Sequence, residues 1–197
     1  MECFVIFVMA WCWFNATESK PQNVSNFKKT FKVRLFRKKT LTDIYKKYLK
    51  EGPLILDSIS DGKKEYKIQI LDFFEETIKN SDSKKLNFCI GIAFRDGIDS
   101  DYISFFERTI LADWHEEHED IVDIIYQFKD NRFSNALGEI VLNKTKYRKY
   151  DTELESTLRK CIHALKAINS EQSNQILANL RKTKNPNIEY ALEIYNK

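Results

Sequence analysis

TELESTLRKCIHALKAINSEQSNQILANLRKTKNPNIEYALEIY, residues Thr152 to Tyr195, holds three helical patterns in succession with only two- to three-residue joints between them. The first places Leu154, Leu158, Cys161, Leu165 and Ile168 on one face at helical spacing. Thr152 with Glu155 three residues on predicts a capping box at its start. Asn169-Ser170 breaks that helix and recaps a second, which carries Ile176, Leu177 and Leu180 inward. Asn185-Pro186 then supplies an N-cap and a proline at the first helical position, where its missing N–H is not needed. The third helix turns Ile188, Ala191, Leu192 and Tyr195 inward.

Leu158, Cys161 and Leu165 recur thirty residues later as Ile188, Ala191 and Tyr195, and Ala-Leu pairs stand at 136/137, 164/165 and 191/192. Helix, tight turn, helix at such a period predicts an α-solenoid, in which each amphipathic pair is stable only when stacked on its neighbours. Ala136, Ala164 and Ala191 are the residues expected to let helices approach. The string Leu158-Arg159-Lys-Cys161-Ile-His-Ala164-Leu165-Lys-Ala-Ile168 resembles the first helix of a HEAT repeat. The passage from Trp114 to Ile168 is similar to bacterial HEAT-like proteins of unassigned function. The resemblance implies an all-α fold, a short right-handed α-solenoid of antiparallel helix pairs, clearest over residues 110–197. It also implies a chain that binds other macromolecules.

Working upstream, helical punctuation begins at Thr40, where Thr40 and Asp43 predict a capping box ahead of Leu41, Ile44, Tyr45 and Tyr48. Gly52-Pro53 stops that helix. Asp61 is expected to cap a longer one with the stripe Tyr66, Ile70, Phe73, Phe74 and Ile78. Leu86 to Phe94 suits a buried strand or a buried helix by periodicity alone; helices on both flanks favour a core helix with Leu86, Cys89, Ile90 and Ala93 inward. Asp96-Gly97 ends it, and Asp99 or Ser100 opens the next, with Tyr102, Ile103, Phe106 and Ile110 as its stripe. Asp113 with Glu116 predicts the start of a helix carrying Trp114, His118, Ile121, Ile125 and Phe128. Another follows with Phe133, Ala136, Leu137, Ile140 and Val141.

The chain divides into an apolar N-terminal segment and polar linker (1–27), a basic arm (28–39) and the HEAT-like helical domain (40–197). The apolar run Cys3 to Phe14 is too short to span a bilayer but has the length of a signal-peptide core. No Lys or Arg precedes it, and Trp11, Trp13 and Phe14 stand where small residues would mark cleavage. Two expectations stay open: membrane contact through residues 3–14, with a membrane-associated or exported location, or a buried terminal strand in a cytoplasmic protein. Lys28, Lys29, Lys32, Arg34, Arg37, Lys38 and Lys39 read as a short exposed strand or arm, with anionic lipid as the other reading.

Five Gly and three Pro are too few for the turns of an all-β chain, which agrees with the helical class. Thirty-two basic against 29 acidic residues give a net charge of only +3, so composition alone demands no polyanionic partner. The four cysteines lack metal or disulfide spacing, and Cys89 and Cys161 fall on apolar stripes, which predicts buried reduced thiols.

His115 and His118, with Glu119, are candidate metal ligands, three residues apart on an expected helix. The order His-Glu-Glu-His is not the His-Glu-x-x-His of zinc peptidases. HEAT-like deoxyhypusine hydroxylases hold two irons through His-Glu dipeptides spread over several repeats, whereas His115-Glu116 and His118-Glu119 share one turn here. The expectation is therefore no metal, no cofactor and no enzymatic activity; a metal-dependent enzyme using His115 and His118 is the remote alternative. Cys161 and His163 are two apart on a helix and cannot form a dyad. The expected function is a protein-protein interaction module of adaptor, immunity or antitoxin type. Its binding surface is drawn from the acids Asp113, Glu116, Glu117, Glu119, Asp120 and Asp123 and the run Lys144, Lys146, Tyr147, Arg148, Lys149 and Tyr150. The same basic run supports nucleic-acid binding as the alternative, which the acidic cluster opposes by repelling phosphate.

Overall fold

Thr40 opens the first helix as its spacing predicts: its hydroxyl accepts the Asp43 N–H at 3.2 Å while the Asp43 carboxylate accepts the Thr40 N–H. The structure is a computed structural model that describes residues 40–59, 62, 64–152 and 154–195. The apolar segment 3–14, the basic arm with its expected strand, Cys3, Cys12 and Asp61 lie outside the described residues. All regular structure among the described residues is helical.

The box opens α1 (Leu41–Glu51), and Gly52, at φ 79°, ends it. A 3-10 stretch, Pro53–Ser58, carries Leu56 into the core. The next helix, α2 (Lys67–Asn80), starts six residues after Asp61, and the N–H of Tyr66, just ahead of it, is met from elsewhere in the chain. The buried Asp96 carboxylate accepts the Tyr66 N–H at 3.2 Å. Helix α3 (Ser83–Asp96) contains the segment that periodicity leaves between strand and helix. Leu86, Phe88, Cys89, Ile90, Ile92 and Ala93 are all buried, so apolar residues on nearly every side mean a helix covered on nearly every side. Asp99 caps a short turn that leads into α4 (Ile103–Thr109).

Residues 110–117 form a loop, and α5 runs His118–Phe128. Asp113 and Glu116 therefore do not make the expected cap, and Trp114 stands ahead of the helix instead of on its stripe. Helices α6 (Ser134–Leu142), the single turn α7 (Lys144–Tyr147), α8 (Ser156–Ile168), α9 (Glu171–Lys182) and α10 (Pro186–Ile194) complete the described chain. Ser170 and Asn185 cap α9 and α10 as predicted. The Thr152/Glu155 box does not form. Glu155 takes a left-handed conformation (φ 45°), and Asp151 caps α8 instead, accepting the Thr157 N–H at 3.1 Å and the Thr157 hydroxyl at 2.6 Å. Leu154 consequently precedes the helix and is exposed rather than part of the apolar stripe.

Among helices α5 to α10, α8 is central: α5, α6, α9 and α10 all pack on it, while α2 packs on α3. Leu158, Cys161, Ile162, Ala164 and Leu165 are its buried apolar residues. Cys89 and Cys161 are free and buried, as the stripes predict, and burial pushes the Cys89 thiol up to about 12 and the Cys161 thiol up further. Ala164 and Ala191 are buried, but Gly138 marks a closer approach. A Cβ there would sit 2.9 Å from Ile176 Cγ2, so α6 and α9 touch at a position where only hydrogen fits. No helix among the described residues is long and apolar enough to cross a membrane.

Candidate interaction surface

The acids and bases expected to face a partner are largely engaged with one another. Glu119 and Asp123 stand one turn apart on α5, and Lys160 of α8 reaches both, at 2.8 and 2.6 Å. Glu119 also accepts the Ser156 hydroxyl at 2.9 Å. Glu116 faces Lys149 at 3.7 Å. Burial pushes the half-buried Glu117 carboxyl up, against a hydrogen bond from Asn87, whose own carbonyl takes the Tyr48 hydroxyl. Asp113 and Asp120 remain exposed with no ion pair among the described residues.

The basic run divides in the same way. Lys144 pairs with Glu155, Lys146 lies over the Tyr147 ring, and Lys149 lies over the ring of the exposed Tyr150. Tyr147 and Arg148 are buried and leave the expected binding surface. Arg148 donates from Nε to the Ile140 carbonyl at 2.8 Å and from Nη2 to the Val141 carbonyl at 2.7 Å, which satisfies the last turn of α6. Its Nη1 meets Glu155 at 2.9 Å and Asp151 at 3.2 Å. The Glu155 carboxyl feels burial, which raises it, but Lys144 and Arg148 together hold it below its ordinary value.

His115 and His118 are buried and stacked, with ring centroids 4.5 Å apart. His115 Nδ1 accepts the Glu117 N–H at 3.1 Å, so Nε2 carries the proton and donates to the Thr109 carbonyl at 2.9 Å. His118 Nε2 donates to the Ala112 carbonyl at 3.0 Å. Burial lowers both imidazoles, and His118, repelled further by His115, falls to about 4. The pair is thus a neutral stack whose hydrogen bonds tie the 110–117 loop, and Glu119 is turned to Ser156 and Lys160. Among the described residues no three His, Cys, Asp or Glu side chains are gathered to hold a metal. His163 lies between the rings of Tyr126 and Tyr195, at 4.5 and 4.4 Å.

Two recesses flank α8. The larger, about 450 Å³, opens at its C-terminal end between Lys166, Asn169, Arg181 and Tyr195. Lys166 there donates to the Leu192 carbonyl at 2.9 Å, and cations suit this end of the helix dipole. The smaller, about 210 Å³, lies at the N-terminal end and is lined by Leu154, Glu155, Arg159, Asn187 and Tyr190. Leu154 is 71% and Tyr190 60% exposed, and the buried Nε of Arg159 has no hydrogen-bond partner. Among these residues the sequence singles out Glu155 as a cap, Leu154 as core and Arg159 only as part of the HEAT-like string, and none of them for a recess. Arg159 follows Leu154 by five residues and precedes Tyr190 by thirty-one, and no helical or strand spacing joins them. Compared with protein-family models, curated proteins and solved structures, the chain matches none of them.

Proposed function

We propose that residues 40–197 are a non-catalytic protein-binding module, built as a short right-handed α-solenoid of antiparallel helix pairs of the HEAT-like kind. The packing of α5 and α6 on α8, of α6 on α9 and of α8 on α9 supports a layered arrangement of this kind. The observation that carries the binding reading is the recess at the start of α8. Large apolar side chains left in water around an arginine have the composition of binding hot spots, where Tyr and Arg are enriched and a partner excludes solvent. The exposed acids Asp113 and Asp120 add charge on the α5 side of the domain.

Nucleic acid is the less supported partner. Tyr147 and Arg148 serve the interior, and Lys144 and Lys149 each face a carboxylate. Affinity capture from the native cell, with crosslinking, tests the main reading. The native chain is expected to retain a specific protein, and the double variant Leu154→Ser, Tyr190→Ser to lose it. A native chain that retains nothing above a tag-only background would sink protein binding as its function.

A further inference from the structure

Arg159 is the fourth residue of α8, near the positive end of the helix dipole, where a cation gains nothing from the helix. A guanidinium carries only donors and no acceptor, and leaving a buried donor unmet is unfavourable. The amides at this helix end do not need it, because Asp151 accepts from Thr157 and Leu158. Nor does Glu155 neutralise it: one carboxylate oxygen of Glu155 is taken by Lys144 and the other by Arg148. Among the described residues, Lys144, Arg148 and Arg159 thus stand against Asp151 and Glu155, and of these cations Arg159 is the one that lines the recess.

We propose that this recess receives a single carboxylate side chain, an Asp or Glu of the partner protein, together with an apolar neighbour that covers Leu154 and Tyr190. This inference rests on the protein-binding reading and names the chemistry of that site. At about 210 Å³ the recess is smaller than the usual 300–1,000 Å³ of a small-molecule pocket, so it fits an anchoring residue and its neighbour. The guanidinium supplies donors for a carboxylate, Asn187 lines the same recess, and a partner that covers Leu154 and Tyr190 would exclude water from the pair.

The test uses the full chain, labelled with 15N, and two probes: N-acetyl-Leu-Glu-Leu-amide and its Gln counterpart. The Arg159 Nε–H resonance is assigned by its loss in Arg159→Lys. It is expected to shift saturably with the Glu probe, which binds roughly ten-fold or more tightly than the Gln probe, the factor of one charge-assisted hydrogen bond. Equal binding of the two probes, or no shift with either, overturns the carboxylate anchor. The capture experiment separates this from the broader reading. A partner retained equally by the native chain and by Arg159→Gln overturns the anchor and leaves protein binding standing, whereas an empty native capture removes protein binding itself.

Discussion

Arg148 and His118 show how residues that look like surface chemistry in the sequence become structural once their partners are known. Arg148 stands in a run of cations, yet two helix carbonyls and two carboxylates surround it, so its charge is balanced inside the fold. His118 stands among acids, yet its ring is buried against His115 and Tyr147 and donates to a backbone carbonyl. Its pKa falls from 6.5 to about 4, chiefly through burial. Between those values the unfolded chain takes up a proton that the folded chain refuses. The stability this group contributes is therefore fully present above about pH 6.5 and is lost as the pH falls through about 4. The full difference is on the order of 3 kcal/mol, with His115 acting in the same direction. Urea unfolding of the native chain is expected to weaken from about pH 7 to about pH 5, and His118→Gln, neutral throughout, to show a shallower dependence. Equal slopes in the two proteins would show that His118 already titrates normally when folded.

Among the elements, the helix starts legible in the sequence are those whose cap is local. Thr40, Ser170 and Asn185 each satisfy amides within three residues, so spacing alone reveals them. The starts of α2 and α8 depend on Asp96 and Asp151, thirty residues downstream in one case and six upstream in the other, and no capping motif has that reach. The apolar stripes are legible because they obey helical period; the surface is not, because Lys160 joins Asp123 across 37 residues and Tyr190 joins Leu154 across the span of α8 and α9. Glycine contacts between elements are equally hidden, and they separate two substitutions that look alike. Gly91→Ala and Gly138→Ala both gain helix propensity, about 0.5–1 kcal/mol. At Gly91 the new methyl meets Leu56 Cδ1, the free end of a flexible side chain. At Gly138 it meets Ile176 Cγ2, held on a β-branched carbon with a stiff χ1. Gly91→Ala is expected to stay within about 1 kcal/mol of the native chain, and Gly138→Ala to lose about 1–3 kcal/mol as α6 and α9 are forced apart. Thermal unfolding of the two variants side by side checks the order.

Cohesion of helices α5 to α10 depends on α8 more than on any charged contact. The pairs of Lys160 with Glu119 and Asp123 are partly exposed, and such pairs are each worth about 0–1 kcal/mol. By contrast, α8 buries an apolar face and packs against α5, α6, α9 and α10, so none of these neighbours keeps its cover if α8 opens. Among packed helices, the one shared by the most neighbours sets the cooperative unit. Native-state hydrogen exchange is expected to find the amides of Cys161 to Leu165 among the slowest and those of α10 among the fastest. Leu165→Ala, which removes a fully buried side chain, is expected to cost about 2–5 kcal/mol. The added exchange should appear in α5 and α6 as well as in α9 and α10. Faster exchange confined to α9 and α10, with α5 and α6 still protected, would mean that α8 couples to α9 and α10 alone and that these helices unfold in two parts.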